Sequence, residues 1–349
     1  MSPAAIDLHH ADLKAAARRY DERAFARLVE HHRAELKAHC YRMLGSAADA
    51  EDTLQETLVR AEQACPTSFE GPSSPRSWLF RIATNACLRM IERGPRRVLP
   101  VDHGPASDPH DPPQPALVEH VWLDPYPDAA LSNDQTSLTP EEHHEQRESV
   151  ELAFLAALQH LPARQRAALL LRDVLRFAPA EMAQVLDAPP VSVCSILLHA
   201  RQAVAERLPA RTQQATLRSI GDERLGELVE RYARAWEEGD VATIAAMLTD
   251  DATLAMPPWP SWYRGRAAVT AFLAAVPLSR RWRWRHTRVG ANGQLALGVY
   301  TAPMTGEDLT AHAIEVLSLD QDALITDITT FHTPEAFARF GLPNELWLA

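Results

Sequence analysis

An acidic, proline-rich stretch divides this 349-residue chain into parts that must fold separately. Residues 101–148 hold eleven acidic side chains and one basic side chain, Arg147, so they carry a net charge of −10 out of −11 for the whole chain. The same residues include eight prolines, which remove backbone donors and disfavour helix. A segment of this composition cannot bury enough apolar surface to form a core, so residues 99–148 are predicted to be an extended linker.

The linker contains one apolar island, at residues 118–127, with Trp122, Leu123 and Tyr126. Two interpretations stay open at this point. The island docks on a folded surface, or the whole linker is a solvated acidic spacer.

Overall composition is that of a folded protein. Hydrophobic residues make up 46% and charged residues 23%, which excludes a wholly disordered chain. No apolar run approaches the roughly 20 residues that cross a bilayer, and residues 1–13 lack the apolar core of a signal peptide. Four widely spaced cysteines argue against a disulfide framework and against a cysteine-based zinc site. We therefore expect a cytoplasmic protein without a metal centre.

Residues 1–98 are predicted to form an all-helical domain. Apolar residues recur at three- and four-residue steps from Phe25 onwards, and a second periodic stretch begins after Ser46, which is placed to cap it. The polar face of this second helix is acidic. It comprises Asp49, Asp52, Gln55 and Glu56.

The next helix, from Ser77, is basic. Residues 76–97 hold six arginines and one acidic residue, Glu92. An arginine-rich face with a tryptophan at its start suits strand binding by stacking and phosphate contact, although a solvated surface is the simpler alternative. The candidate DNA-binding residues are Trp78, Asn85, Arg89, Arg93, Arg96 and Arg97.

Residues 149–210 are predicted to form a second helical domain. A short helix at residues 179–186 begins at a proline, a turn follows at residues 187–190, and a longer helix extends to residue 208. This order is typical of a helix-turn-helix, whose second helix enters the major groove, although other helical bundles share it.

Three motifs in these two domains resemble bacterial sigma-70-type RNA polymerase sigma factors of the extracytoplasmic-function group. They are DAEDTLQE at 49–56, SWLFRIATN at 77–85 and LPARQRAALLLRD at 161–173. The island at residues 122–127 is similar to the subgroup that carries an additional C-terminal domain.

This resemblance implies partners for each surface. The acidic helix, through Asp49, Asp52, Gln55 and Glu56, would contact the clamp helices of the largest subunit of core RNA polymerase. The helix through Asn85 and Arg89 would engage the minus-ten promoter element, where stacking of roughly 1–3 kcal/mol per base offsets extrusion of a base. The loop at residues 69–75 would form a wall of the pocket for that base, and the acidic linker would thread the polymerase cleft. No catalytic residue and no cofactor are implied, because the polymerase performs the chemistry.

The predicted recognition helix departs from the family pattern, because it is unusually apolar between residues 190 and 201. Side chains that could reach bases or phosphates are Ser192, Ser195, His199 and Arg201. Few of these can make the bidentate base contacts that discriminate promoters. We therefore expect weak recognition of the upstream element, or a helix whose apolar side is covered by another domain, or a degenerate but functional helix.

Residues 219–349 are predicted to form a separate α+β domain. A broken amphipathic helix at 225–247 precedes strand-like runs at 252–256, 282–289, 295–300, 311–318 and 325–331, with a helix at 267–275. This order, with the runs at 232–240, 248–251, 262–266 and 291–294, resembles the SnoaL-like cone fold, a relative of nuclear transport factor two.

The cone fold encloses a cavity, so this domain is a candidate ligand-binding module. Residues of the candidate pocket are Asp251, Trp259, Trp262, Tyr263, His286 and His312. Asp250 and His332 are further acid–base candidates, and the alternative is that Trp259 and Trp262 only pack the mouth of the cone. Alternation along the strand places Arg281, Arg283 and Arg285 on one face.

Three functional classes remain. The favoured one is a multidomain sigma factor, with two all-α domains and a C-terminal α+β cone that regulates it, by contacting the two helical domains or by sensing a small molecule. The second is a SnoaL-like enzyme or small-molecule-binding domain fused to a DNA-binding module, and a plain helix-turn-helix regulator is the third. An acidic helix beside a basic one argues against the last, since a simple repressor needs no polymerase-binding surface.

Overall fold

The structure is a computed structural model that describes residues 22–68, 74–117, 122–131, 145–306 and 308–346. Its described residues fall into two units. The helical unit consists of those within Met1–Arg96, Ala130–Glu142 and Ala153–Leu208. The sheet unit consists of those within Arg97–Ala129, His143–Leu152 and Pro209–Ala349, so it combines most of the linker with the C-terminal residues.

Three helices form the first part of the helical unit: α1 (Glu22–Leu44), α2 (Ala47–Ser68) and α3 (Pro75–Arg93). The Oγ of Ser46 accepts the backbone N–H of Asp49 at 3.2 Å, as expected of an N-cap. The Oγ of Ser74 caps α3 in the same way, and Pro75 occupies the first helical position. Side chains buried between these helices include Leu36, Tyr41, Met43, Leu54 and Phe80.

The second part of the helical unit contains a helix-turn-helix. Its α7 (Pro179–Val185) and α8 (Pro190–Ala205) follow α5 (Leu152–Gln159) and α6 (Ala163–Leu169), with α4 (Pro100–His103) lying earlier, in the linker. The predicted single helix at 163–175 changes to π-helical hydrogen bonding over Leu170–Val174. There the N–H of Leu175 donates to the carbonyl of Leu170, and Arg176 has a φ of 59°.

The sheet unit is built from three helices followed by a sheet. Helices α9 (Gln213–Ile220), α10 (Asp222–Glu238) and α11 (Val241–Ala246) precede β1 (Leu248–Ala255) and β2 (Trp262–Arg264). Then come α12 (Arg266–Ala275), β3 (Trp282–Ala291), β4 (Gln294–Pro303), β5 (Leu309–Leu319), β6 (Ile325–Phe331) and β7 (Glu345–Leu346). Turns of 3-10 helix lie at Asp128–Leu131 and Pro334–Phe340.

The strand order is β2-β1-β6-β5-β4-β3, with β7 paired to β5. All neighbours are antiparallel except β1 and β6, which are parallel. Register shifts interrupt β1, β4 and β5, and such irregularities bend a sheet. One face of the sheet packs on α10 and α12. The core between them includes Tyr232, Leu254, Tyr263, Phe272, Leu317 and Ile328.

Two features of this unit were not predicted from the sequence. Helix α9 occupies residues 213–220, and all but its last two residues precede the predicted start of the domain. The sequence did not indicate this helix because its composition is mostly polar. Strand β2 has only three residues, which is too short for alternation to show. Among the described residues, no helix is long and apolar enough to span a membrane.

Candidate functional site

The acidic face of α2 lies next to the basic face of α3. Asp52 and Gln55 are exposed, whereas Asp49 and Glu56 are half-buried. A guanidinium nitrogen of Arg89 on α3 lies 3.4 Å from a carboxylate oxygen of Glu56, so the two predicted surfaces meet at this ion pair. The four residues predicted to bind polymerase therefore share one face with different degrees of exposure.

The outer face of α3 presents polar and basic side chains. Asn85, Arg93 and Arg96 are exposed, and Arg89 is half-buried beside Glu56. Arg96 lies 3.2 Å from the Nδ1 of His160. These arginines leave a positively charged surface that suits phosphate contacts.

Two other predicted DNA-binding residues, Trp78 and Arg97, have buried side chains in this structure. The side chain of Trp78 is 2% exposed, although the same stripe of α3 carries the exposed residues Arg81 and Asn85 one and two turns later. Arg97 is 8% exposed, and its guanidinium donates a hydrogen bond of 3.0 Å to the carbonyl of Trp122 in the linker. The predicted wall of a base pocket at residues 69–75 lies mostly outside the described residues.

The first turn of α3 packs on the helix-turn-helix. The Oγ of Ser77 donates to Oε1 of Glu181 on α7 at 2.9 Å. The guanidinium of Arg76 lies 4.3 Å from the ring centroid of Phe177, and it donates to the carbonyl of Leu175 at 2.9 Å. The two helical domains are therefore held together at the N-terminal end of the basic helix.

The predicted recognition helix α8 exposes Ser192, Ser195 and His199. Arg201 is exposed as well, but its Nε donates to Oδ2 of Asp173 at 2.9 Å, so it is already engaged by a carboxylate. Apolar side chains share this surface, since Val191 is 83% and Leu198 is 66% exposed.

The sheet unit encloses a cavity of about 380 Å³ between the bent sheet and helices α10 and α12. Its walls are mainly aromatic and aliphatic. They include Trp236, Trp259, Trp284, His312, Glu315 and His332. The ring centroids of Trp236 and Trp284 are 5.3 Å apart, and those of His312 and His332 are 4.6 Å apart.

A buried carboxyl group belongs to this cavity. Glu315 on β5 is 2% exposed, and its Oε2 accepts a hydrogen bond of 2.9 Å from the Oγ1 of Thr330 on β6. Its Oε1 is buried without a hydrogen-bond partner among the described residues, as is the hydroxyl of Tyr232. Burial raises the pKa of Glu315 to about 7, against the lowering effect of the neighbouring Tyr232 and Thr330 hydroxyls.

The imidazoles near this carboxyl are kept neutral by their surroundings. Burial lowers the pKa of His286 to about 3, and both of its ring nitrogens lack partners among the described residues. Burial, with help from His312, lowers the pKa of His332 to about 3, and burial also lowers the pKa of His312. No described histidine of this region therefore supplies a positive charge at neutral pH.

The predicted pocket residues have different locations. Trp259 and His312 line the cavity. Trp262 and Tyr263 are buried, and Tyr263 stacks on Phe272 with ring centroids 4.3 Å apart. Asp251 is exposed and lies away from the cavity.

His286 is not part of the cavity wall, although its ring lies 6.0 Å from that of Tyr232 and 5.4 Å from that of Trp236. Sequence reasoning missed Glu315, because a glutamate within a strand usually indicates a solvent-facing position. A usable signal was its place among apolar neighbours, Ala313, Ile314, Val316 and Leu317.

Part of the linker is bonded to the mouth of the cone. We call residues 104–117 the linker strap. The N–H of Ser107 donates to the carbonyl of Trp262, the Nε1 of Trp262 donates to the carbonyl of Gly104, and the N–H of Leu117 donates to the carbonyl of Pro258. Pro113 of the strap lines the cavity itself.

The apolar island is also docked, as far as it is described. Trp122, Leu123 and Tyr126 are each at most 6% exposed. Tyr126 is bonded to the β3–β4 turn, where Asn292 is fully buried and has a φ of 56°. Of the two interpretations of the island, docking therefore applies to residues 122–127.

Comparison with known proteins identifies the domains. Residues 28–97 match the sigma-70 region 2 family, residues 151–204 match the sigma-70 region 4 family, and residues 229–328 match the SnoaL-like domain family. The ECF RNA polymerase sigma factor SigG of Mycobacterium tuberculosis is 39% identical over 333 residues, which cover 93% of this chain and 86% of SigG. The chain belongs to the ECF RNA polymerase sigma factors.

Other sigma factors support the same assignment. SigJ of M. tuberculosis is 26% identical over 288 residues, which cover 79% of this chain and 80% of SigJ. A crystal structure of SigJ has the same fold, with a TM-score of 0.56 and 23% identity over 90% of this chain and 98% of that one. The predicted fold class is therefore confirmed: this ECF sigma factor has two helical sigma domains followed by a SnoaL-like domain with a sheet.

Proposed function

We propose that this sigma factor binds core RNA polymerase through the acidic face of α2. The contact residues would be Asp49, Asp52, Gln55 and Glu56, and the partner surface would be the clamp helices of the largest subunit. The observation that carries this proposal is the exposed acidic face beside a basic helix, joined at the Glu56–Arg89 ion pair. An acidic surface on a DNA-binding domain repels DNA, so it suits a basic protein partner.

Promoter DNA would lie on the basic face of α3 and on α8. The contact residues would be Asn85, Arg93 and Arg96, which are exposed, and the half-buried Arg89, with Ser192, Ser195, His199 and Arg201 on α8. Trp78 and Arg97 are buried, so they would support the DNA-binding surface by packing beneath it and would not contact DNA themselves. The chain itself would catalyse no reaction and would act in the cytoplasm, where the polymerase and the promoter are.

Regulation would use two restraints. The contact of Ser77 and Arg76 with the helix-turn-helix holds α3 and α7 side by side, and two promoter elements on one duplex need these domains apart. The linker connects the two helical sigma domains. Its docking on the SnoaL-like domain limits how far apart they can move. The SnoaL-like domain would therefore favour the restrained form, and a small molecule in its cavity would change that preference.

Co-purification of the full chain with core polymerase, followed by promoter opening on the eluted complex, tests the proposal. Asp52→Arg reverses a charge at the proposed contact. It should abolish co-purification with core polymerase, while the melting temperature of the variant stays normal. Glu62→Arg makes the same change at an exposed position of α2 outside the four residues, and it should leave binding intact. Equal binding by both variants would overturn the assignment of this face, and failure of the unaltered chain to bind would overturn the proposal.

A further inference from the structure

The cavity of the SnoaL-like domain combines aromatic walls with one acidic group. Four tryptophans line it: Trp236, Trp259, Trp282 and Trp284. Glu315 is the sole acidic residue among the described lining residues, and none of them is lysine or arginine. An uncompensated carboxyl group in such a place is costly, because a buried charge needs a counter-charge or hydrogen bonds.

The protein does not supply that counter-charge. Oε2 of Glu315 accepts a hydrogen bond from Thr330, and the neutral hydroxyl of Tyr232 is the other polar group beside the carboxyl, outside hydrogen-bond geometry with Oε1. The nearby histidines have lowered pKa values and are neutral near pH 7. Tyr232 is neutral as well, since burial raises the pKa of its hydroxyl.

We propose that the cavity binds an apolar amine, whose ammonium group pairs with Glu315 and whose hydrocarbon body lies among the tryptophans. An ammonium group supplies the positive charge that the described lining of the cavity lacks, and indole rings attract cations. A carboxylate ligand would be repelled by Glu315, and a neutral alcohol would gain a hydrogen bond without charge pairing. The volume of about 380 Å³ is in the range of small-molecule sites and accommodates a body of two fused rings. This inference rests on the proposed role of the SnoaL-like domain as a sensor.

Three probes of matched size test the charge preference by isothermal titration calorimetry on the full chain near pH 8. They are 1-naphthylmethylamine, 1-naphthalenemethanol and 1-naphthoate. The amine should bind on the order of tenfold more tightly than the alcohol, and the carboxylate should not bind measurably. Equal affinities for amine and alcohol, or tighter binding of the carboxylate, would overturn the proposal.

Glu315→Gln removes the charge and keeps the shape. It should weaken binding of the amine on the order of tenfold and change that of the alcohol little. Glu335→Gln, at an exposed position of the same domain outside the cavity, should change neither. Amine binding that is unaffected by Glu315→Gln would contradict the proposed pairing.

A pH series on the unaltered chain decides the question if the Glu315→Gln variant does not fold. Of the groups around the carboxyl, Tyr232, His286 and His332 keep one charge state between about pH 6 and pH 8, and burial lowers the pKa of His312, whereas Glu315 ionises. Amine affinity should rise on the order of tenfold over this range, and alcohol affinity should stay flat. A flat amine profile would overturn the proposal.

Polymerase binding and promoter opening are measured on the same preparation without any probe. A failure of the proposed sigma-factor activity can then be distinguished from a failure of the proposed ligand class. Normal opening without amine binding overturns the ligand class alone. Amine binding by a chain that cannot bind polymerase overturns the proposed function and leaves the ligand class standing.

Discussion

Asn292 and Tyr126 hold each other by two reciprocal hydrogen bonds. The backbone N–H of Tyr126 donates to Oδ1 of Asn292 at 2.9 Å, and the N–H of Asn292 donates to the carbonyl of Tyr126 at 2.8 Å. The Nδ2 of Asn292 also donates to the carbonyl of Val150 at 2.9 Å, beyond the other end of the linker. One buried amide side chain therefore bonds Tyr126, within the linker, and Val150, just after it, to the turn between β3 and β4.

Replacement of Asn292 should release the linker at Tyr126. Asn292→Gly keeps the positive φ without strain but removes the side-chain bonds to Tyr126 and Val150, and it should cost about 1–3 kcal/mol locally. Hydrogen exchange at the Tyr126 amide should then accelerate by at least about tenfold. Asn292→Ala removes the same bonds and adds backbone strain, so it should lower the melting temperature further. Unchanged exchange at Tyr126 in the glycine variant would contradict this role of the side chain.

Trp78 should contribute more to the stability of the fold than to contact with DNA. Its side chain is 2% exposed, so Trp78→Ala should lower the free energy of unfolding by about 3–5 kcal/mol, as measured by urea denaturation. Asn85→Ala, on the exposed face of the same helix, should change stability by less than about 0.5 kcal/mol and weaken promoter binding instead. A fully stable Trp78→Ala chain would show that the indole is not held in the core.

Acid should weaken the helical unit through Glu35. Burial alone would raise its pKa, but hydrogen bonds from His32 and Arg76 lower it to about 2. A lowered pKa means that the carboxylate contributes stability above its unfolded value near 4.5, and that this contribution disappears as the pH falls towards 2. The melting temperature of Glu35→Gln should therefore lie below that of the unaltered chain at pH 6, with a difference that shrinks below about pH 4.5. A difference independent of pH would exclude this carboxylate as the cause.

Local patterns in the sequence predicted most of the elements but few of the contacts that join them. Helical periodicity located α2 and the N-cap at Ser46, and the strand-like runs located β3, β4, β5 and β6. The partners of Arg97 and Asn292 depend on residues far away in the chain, since Tyr126 is 166 positions from Asn292. The burial of Trp78 and Glu315 depends on which face of a helix or strand meets the core. Sequence alone leaves that choice open where aromatic and polar residues alternate.

Glu315→Gln should stabilise the protein at neutral and alkaline pH. Burial raises the pKa of Glu315 to about 7, so the folded chain retains a proton that the unfolded chain loses near pH 4.5. For a raised pKa, stability is greatest below the unfolded value and falls as the pH rises through 7. A shift of this size corresponds to an effect on the order of 3 kcal/mol, which glutamine avoids because it stays neutral. The melting temperature of the variant should exceed that of the unaltered chain by an amount that grows from about pH 5 to pH 7 and then levels off. Glu335→Gln, at an exposed site, should show no such trend. If the difference in melting temperature from the unaltered chain had the same pH dependence for both variants, the carboxyl of Glu315 would not be buried in the folded chain.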